Sequence, residues 1–327
     1  MSPQTFTLAV TGAAGQVAYA WLFLQLHQLE RQGMSVDLRL CDVEAQQGNL
    51  RCIADELIDC ASPALRAVSC HQSPEEAFEG ASSIVLFGGL ARQPGMSRSD
   101  LLLTNASIMA DHGKAIGRTA DPCCDVLVVA NPCNTNALVA WSHSGRSPHS
   151  FRAMTRLDHQ RAAAALAQHI GVPVAEVSRA CVWGNHSETC VPDRWHARVG
   201  GKPAVSVVPE SWLADEWPAR VRGRGGDLLR RRGHSAAGSA AWAALLAWRD
   251  PRALSPGEWA SCGLWTEEGT QLPAGLYCGV ACTSMNGRLT WVADALEPDL
   301  LAALRPSLQE LTEERDTVRH LLGGGGA

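Results

Sequence analysis

Asp158 and Arg161 stand three residues apart at the head of a run, Ala162 to Ala167, that is among the best helix-forming stretches in the chain. Residues at i and i+3 share a helix face, so a carboxylate and a guanidinium are presented together in a first helical turn. The guanidinium is a planar fork of donors suited to an anion. The carboxylate behind it could orient a second group instead of pairing with that arginine. A candidate for this second group follows in Trp183-Gly-Asn-His-Ser187, which carries His186. A histidine held by a buried carboxylate is the usual construction of a general acid or base. A surface ion pair and an unrelated core histidine is the competing reading, and it would win for either fragment alone.

The elements that must position these groups begin with a nucleotide-binding pattern. Phe6 to Val10 is a short apolar run of strand length that enters Thr11-Gly-Ala-Ala-Gly-Gln16, and a long helical pattern follows to about Gln32, stopping at Gly33. Strand, glycine turn and helix in that order cradle a pyrophosphate with backbone N–H groups and a helix N-terminus. Glycine spacing alone is weak evidence, and Asp42 at the end of a second strand, Asp37 to Cys41, strengthens it. An acid there accepts hydrogen bonds from ribose hydroxyls and repels a 2′-phosphate, which favours NAD over NADP. A helix N-cap is the alternative role for Asp42.

Further elements are expected at Asn49 to Cys60 (helix), Ala67 to Cys70 (strand), Glu75 to Phe78 (helical turn) and Ser82 to Phe87 (strand). Gly88, Gly89 and Arg92-Gln-Pro-Gly-Met-Ser-Arg98 then describe a hinged, cationic loop that could close over an anion. A helix from Ser99 to Arg118 and a strand from Asp125 to Ala130 lead to Asn131, just past a parallel strand's carboxyl end, where such sheets bind ligands. The alternation lapses near residue 150, so a Rossmann-type parallel sheet over 1–150 and an α+β substrate or catalytic domain with a small antiparallel sheet over 151–327 are expected. In the second part we expect a helix from Asp158 to Ile170 and strands at Arg179 to Trp183 and Ala204 to Val208. Ser211 to Trp248 reads as largely helical, interrupted near Gly223 to Gly226 and ended by Pro251. Strands at Cys262 to Trp265, Leu276 to Ala281 and Leu289 to Val292, a helix from Pro298 to Leu322 and a frayed glycine tail complete it.

Composition narrows the function classes. At 327 residues, 46% apolar and 19% charged with a net charge of −5, the chain reads as a soluble globular protein with no call for nucleic acid. The arginines at 220, 222, 224 and 230–232 are expected to form a solvated helix face or an oligomer contact. No apolar run reaches the length of a membrane span and no secretory pattern is evident, so a cytoplasmic location is expected. The twelve cysteines are scattered and fit reduced thiols better than disulfides, and the spacing of Cys181, His186, Cys190 and His196 matches no compact zinc pattern, so no metal is expected. The Tyr-x-x-x-Lys pair of short-chain dehydrogenases is absent, since Phe23 and Ala281 stand four residues after the only tyrosines, Tyr19 and Tyr277.

Five segments, Thr11 to Gln16, Arg92 to Arg98, Asn131-Pro-Cys-Asn-Thr-Asn136, Thr155-Arg-Leu-Asp-His-Gln-Arg161 and Gly184-Asn-His-Ser187, resemble in order and spacing the signature segments of malate dehydrogenases, closest to the cytosolic type. The resemblance implies an NAD-dependent 2-hydroxy acid dehydrogenase and a homodimer. It makes His186 the acid that protonates a carbonyl oxygen, with Asp158 behind it. It places Arg161 on the 1-carboxylate, Arg98 and Asn131 on the carbonyl side, Arg92 on a second acidic group, and Ser235 at the substrate. For the cofactor it implies Gly12, Ala13, Ala14, Gly15, Gln16, Val17, Ala18, Asp42, Gly88, Gly89, Asn105, His112, Val129 and Asn131. Departures are Ala91 for proline, His112 for glutamine, and Ala236 and Gly238 where bulkier or hydroxylated residues wall the pocket, which leaves room for a larger distal group. Oxaloacetate is the first expectation; phosphonopyruvate or sulfopyruvate is the alternative. A non-catalytic NAD-binding homologue is a third reading, set against it by the retention of Asp158, Arg161 and His186.

The cofactor reading is directly testable. With Asp42 against the 2′-position and no arginine after it, NADH should exceed NADPH in kcat/KM by at least about an order of magnitude; equal use of both would refute the assignment of Asp42.

Overall fold

The computed structural model describes residues 5–90, 98–233 and 236–323, with only the backbone of Arg98 described. Arg92, the side chain of Arg98 and Ser235 therefore lie outside the described residues. The first strand, β1 (Thr5–Thr11), alternates its apolar residues across two layers. Leu8 and Val10 enter one core with α1 (Gln16–Arg31), while Ala9 enters the other. Helix α1 buries Ala18, Trp21, Leu22, Gln25, Leu26 and Leu29, the helical spacing that the sequence shows. Strand β2 (Ser35–Cys41), α2 (Gln47–Asp59) and β3 (Leu65–His71) extend the sheet to one side of β1. After the short α3 (Pro74–Phe78) the chain returns to the other side with β4 (Ser83–Leu86), α4 (Arg98–Thr119), β5 (Asp125–Val128), α5 (Cys133–Ser144) and β6 (Phe151–Ala153). The parallel order is thus β6-β5-β4-β1-β2-β3, with the reversal between β1 and β4.

Such a reversal opens a crevice at the carboxyl ends of the strands, where flanking loops diverge to opposite sides. Gly12, at φ +60, passes so close to the other loop that a Cβ on it would fall 2.5 Å from Gly88 Cα. Only glycine satisfies both the left-handed backbone and the contact.

Beyond β6, α6 (Arg156–Ile170) starts the second half. Strands β12 (Ala260–Trp265), β13 (Tyr277–Met285) and β14 (Arg288–Trp291) are antiparallel as expected. They do not stand apart, however: β12 joins β6 at Gly263 and Ala153, so they continue the main sheet to nine strands. Two small sheets lie between: β7 (Val177–Ser178) with β10 (Arg198–Val199) and β11 (Lys202–Pro203), and β8 (Val182–Trp183) with β9 (Val191–Pro192). Helices α7 (Trp217–Arg232), α8 (Ala237–Ala253) and α9 (Pro298–Val318) complete the chain.

Several expectations need correction. The strand read at Arg179 to Trp183 begins only at Val182, because Arg179 takes φ +55 and divides β7 from β8. Ala204 to Val208 is not a strand; its first three residues form a 3-10 turn after Pro203. The glycines at 223, 225 and 226 do not interrupt α7, which runs through them and stops at Gly233 in the left-handed conformation. Pro251 lies within the last turn of α8 rather than ending it. Helix α5 and strand β6 carried no periodic signal. Asp42 is no helix cap, since the short 3-10 turn after it is capped by Val43. Gly323 is not frayed: its N–H donates to Ser142 Oγ at 3.2 Å, against α5. Of the twelve cysteines, all free, eight are buried, Cys70 is half-buried, and Cys52, Cys60 and Cys123 are exposed.

The turn after β8 is fixed from three sides. Gly184 exchanges two backbone hydrogen bonds of 2.8 Å with Gly279 on β13, and a Cβ on Gly184, at φ +93, would lie 2.2 Å from Ser307 Oγ of α9. Asn185 N–H donates to that same hydroxyl at 2.7 Å. The Gly184→Ala variant adds backbone strain to this overpacking, and should lose about 2 kcal/mol or more of unfolding free energy. Denaturant titration checks this; an unchanged midpoint would show that the turn relaxes without cost.

Candidate functional site

Helix α6 begins at Arg156, so Asp158 and Arg161 occupy its first two turns, on one face, as their spacing requires. Asp158 is nearly fully buried and divides its two oxygens. Oδ2 lies 2.5 Å from His186 Nδ1, and Oδ1 accepts from Arg161 Nη1 at 3.3 Å. The carboxylate thus orients the histidine and also pairs with the arginine, where the sequence had suggested one or the other. With a carboxylate as acceptor, Nδ1 is the donor, and Nε2 is left as the atom able to give or take a proton.

Other elements fix the imidazole's backbone. His186 N–H donates to Asn134 Oδ1 at 3.1 Å, and Asn134 Nδ2 donates to Tyr277 O at 2.8 Å, linking α5 to β13 through the turn. Asn185 Nδ2 donates to Glu310 Oε2 at 3.0 Å and Glu314 Oε1 at 3.1 Å, both on α9, while Thr135 Oγ1 donates to Glu314 Oε2 at 2.5 Å. These supports were missed in the residue-by-residue reading, although Asn134 and Thr135 lie inside the Asn131 to Asn136 segment. Arg161 passes under α7 at Gly225, where a Cβ would meet Nη2 at 3.4 Å, and one turn earlier Arg222 Nε donates to Cys190 O at 2.7 Å. Arg222 therefore turns inward, which corrects its assignment to a solvated face.

The second region is the crevice at the reversal of the sheet, about 610 Å³, bordered by Gly12, Gly15, Asp42, Gly88, Gly89 and Leu90, among others. Asp42 ends β2 and accepts from Ala14 N–H at 3.0 Å and Val43 N–H at 2.9 Å. Gln16, Val17 and Ala18 form the first turn of α1. The side chains of Ala13 and Ala18 are in the core, so only their backbones can meet a ligand. Val129 and Ala130 both donate N–H to Leu86 O, at 2.9 and 3.0 Å. The Asn105 side chain is consumed by the backbone: it accepts from Leu90 N–H at 2.7 Å and donates to Leu90 O at 3.1 Å and Asn131 O at 2.8 Å. It shapes the crevice rather than offering free donors to it. Asn131 itself is exposed.

His112 lines the far end of the crevice, edge to face with Phe78 at 6.0 Å. Burial pushes its imidazole down to about 4, and Nδ1 has no hydrogen-bond partner. A glycine cradle, a carboxylate ending the second strand and an orphaned buried nitrogen along one crevice fit a dinucleotide. The two regions meet through residues 131–134: Asn105 holds the first of these at the crevice, and the last holds His186.

Comparison with known proteins agrees with this geometry. Residues 6–151 match the family model of the lactate/malate dehydrogenase NAD binding domain, and residues 155–322 match that of the lactate/malate dehydrogenase alpha/beta C-terminal domain. Among solved structures, malate dehydrogenase from Naegleria fowleri is 32% identical, with 98% of this chain and 100% of that chain covered and a TM-score of 0.92. Trichomonas vaginalis lactate dehydrogenase, in complex with NADH and oxamate, is 29% identical over 97% of this chain and 98% of its own, with a TM-score of 0.91. Malate dehydrogenase from Picrophilus torridus, in its apo form, is 25% identical over 97% and 98%, with a TM-score of 0.82. The chain belongs to the lactate/malate dehydrogenase family, and is an NAD-dependent oxidoreductase acting on the CH–OH group of hydroxy acids.

Proposed function

We propose that the protein is a malate dehydrogenase, interconverting oxaloacetate and malate. The observation that carries the catalytic part of this reading is the Asp158 carboxylate shared between His186 and Arg161. NAD, when bound, supplies or accepts the hydride. His186 Nε2 gives a proton to the carbonyl oxygen in reduction and takes it from the hydroxyl in oxidation, and Asp158 stabilises the imidazolium form. Arg161, steadied by Asp158 and unobstructed at Gly225, grips the 1-carboxylate as a fork. Arg98 polarises the carbonyl, Asn131 and Ser235 contact the substrate, and closure of the loop that carries Arg92 and Arg98 excludes water.

Substrate choice rests on Arg92. Arg161 and Arg98 account for a carboxylate and its adjacent carbonyl, the minimum of any 2-oxo acid, so Arg92 is surplus unless a second anion is present. A guanidinium enclosed without a partner costs about 3–5 kcal/mol, which disfavours closure over a monocarboxylate. A second reading, from the small residues Ala236 and Gly238 where the family resemblance implies a bulkier pocket wall, has as distal group the larger tetrahedral anion of phosphonopyruvate or sulfopyruvate. The working assembly in either reading is a homodimer. Trp242 on α8 is 50% exposed and Ile58 on α2 is 57% exposed, and covering them would remove apolar surface from water.

The His186→Ala variant should lose roughly a thousandfold in kcat while NADH binding, followed by fluorescence titration, stays near normal; retention of most activity would place the acid elsewhere. In a steady-state panel, oxaloacetate should exceed pyruvate in kcat/KM by about two orders of magnitude or more, and Arg92→Gln should narrow that gap by losing the dianion. A wild type that reduces pyruvate as well as oxaloacetate would remove the role given to Arg92.

A further inference from the structure

Helix α7 concentrates positive charge in a chain whose net charge is −5. Its residues include six arginines and a single acid, Asp227. Arg220, Arg224, Arg230, Arg231 and Arg232 are exposed. Arg220 pairs with Glu216 at 3.6 Å, and Arg230 pairs with Asp227. Arg224, Arg231 and Arg232 have no ion pair among the described residues.

The stability of the helix does not account for this arrangement. Arg220 and Arg224 are four residues apart, a spacing at which like charges repel. Glycines at 223, 225 and 226 lower the helix propensity further. Cations in a last turn complement the helix dipole, which explains a share of Arg230 to Arg232 and nothing of Arg224 in the middle of the helix. The position of α7 offers another cause. A Cβ on Gly225 would lie 3.4 Å from Arg161 Nη2, so the guanidinium that Asp158 steadies runs beneath this turn. Arg224 is the neighbouring residue. At 100° per residue Arg232 returns to within about 20° of Gly225, two turns and about 10 Å further along the axis. It stands on the stripe that faces Arg161, beyond the buried Trp217, Pro218 and Val221, and it is exposed. Unmatched surface charges beside a site raise the local concentration of the opposite ion there. That enrichment is exponential in the ion's charge, so a dianion gains the square of what a monoanion gains.

We propose that Arg224, Arg231 and Arg232 form a steering rim for the dehydrogenase site, concentrating multiply charged 2-oxo acids at its entrance ahead of any contact made inside. The inference rests on the reading of the substrate as a dianion. Its test is kcat/KM for oxaloacetate and for pyruvate, measured on the full-length protein from low to high ionic strength, in wild type and in the Arg224→Gln/Arg231→Gln/Arg232→Gln variant. At 0.01 M salt, where the screening length is about 30 Å, the variant should lose about fivefold or more in kcat/KM for oxaloacetate and only the square root of that factor for pyruvate. Its kcat at saturation should match wild type, which also reports an intact fold. At 1 M salt, where the screening length is about 3 Å, the two proteins should converge. The corresponding triple lysine variant keeps the charge and should behave as wild type. The proposal is overturned if the glutamine variant equals wild type at low salt, if the gap persists at high salt, if both substrates lose equally, or if the lysine variant is as poor as the glutamine one. A wild type that prefers pyruvate would remove the dianion reading and leave this test standing, because each loss is read within one substrate.

Discussion

The Asp158 carboxylate is the interaction on which the rest of the structure depends. With only 5% of its side chain exposed, it has given up most of its hydration, and two cationic or polar donors take water's place. Removing either donor would leave a buried charge partly uncompensated, a loss of about 3–5 kcal/mol when an ion pair is broken from one side. Its position in the first turn of α6 adds a favourable field from the helix N-terminus, worth about 0.3–1 kcal/mol at exposed sites. The geometry then constrains everything nearby. The helix must start at Arg156, the turn at Gly184 must deliver an imidazole to one oxygen, and the guanidinium reaches the other beside Gly225 of α7.

That turn is supported by elements from both ends of the chain. Asn134 comes from α5 in the first half; Gly279, Ser307, Glu310 and Glu314 come from the second. The α9 carboxylates are themselves engaged at Asn185 and Thr135, so they join the turn to the N-terminus of α5 rather than facing solvent. A proton-transfer group assembled in this way exists only once both halves have folded together. This is why the same segment, residues 131–134, serves the cofactor crevice at one end and the histidine at the other.

The features visible in the sequence were those with a local cause. Strands β1, β2, β4 and β5 announce themselves by apolar runs with turn residues behind them, and Asp158 with Arg161 by helical spacing. Helix α5 was invisible because ten of its twelve residues are buried: a helix covered on all sides has no polar face and hence no period to read. Strand β6 is three residues long, too short for alternation to register. Arg179 broke a strand that propensity favours by taking a positive φ, which tertiary contacts impose and no neighbouring residue signals. The glycines of α7 looked like a break because isolated propensity says so; one of them, Gly225, lies against Arg161, 64 residues away in the chain, a packing that local reading cannot reach.

Helix α6 also shows how a site can be held without adding much net stability. Its rotation about its own axis decides which residues face the histidine, and a slip of one residue would carry Asp158 through 100°. Ion pairs on opposite faces oppose this: Asp158 with Arg161 and His186 on one side, Arg156 with Asp250 of α8 on the other. Between them Trp217 Nε1 of α7 donates to Ala162 O at 2.9 Å. Burying such pairs returns little over well-packed apolar side chains, since desolvation offsets most of the attraction. What they supply is discrimination, because any other rotation leaves charges buried and unmatched on both faces at once. An alanine-rich helix could pack at several rotations with similar dispersion energy, and in α6 the charges are what select the one rotation that aligns Asp158 with His186.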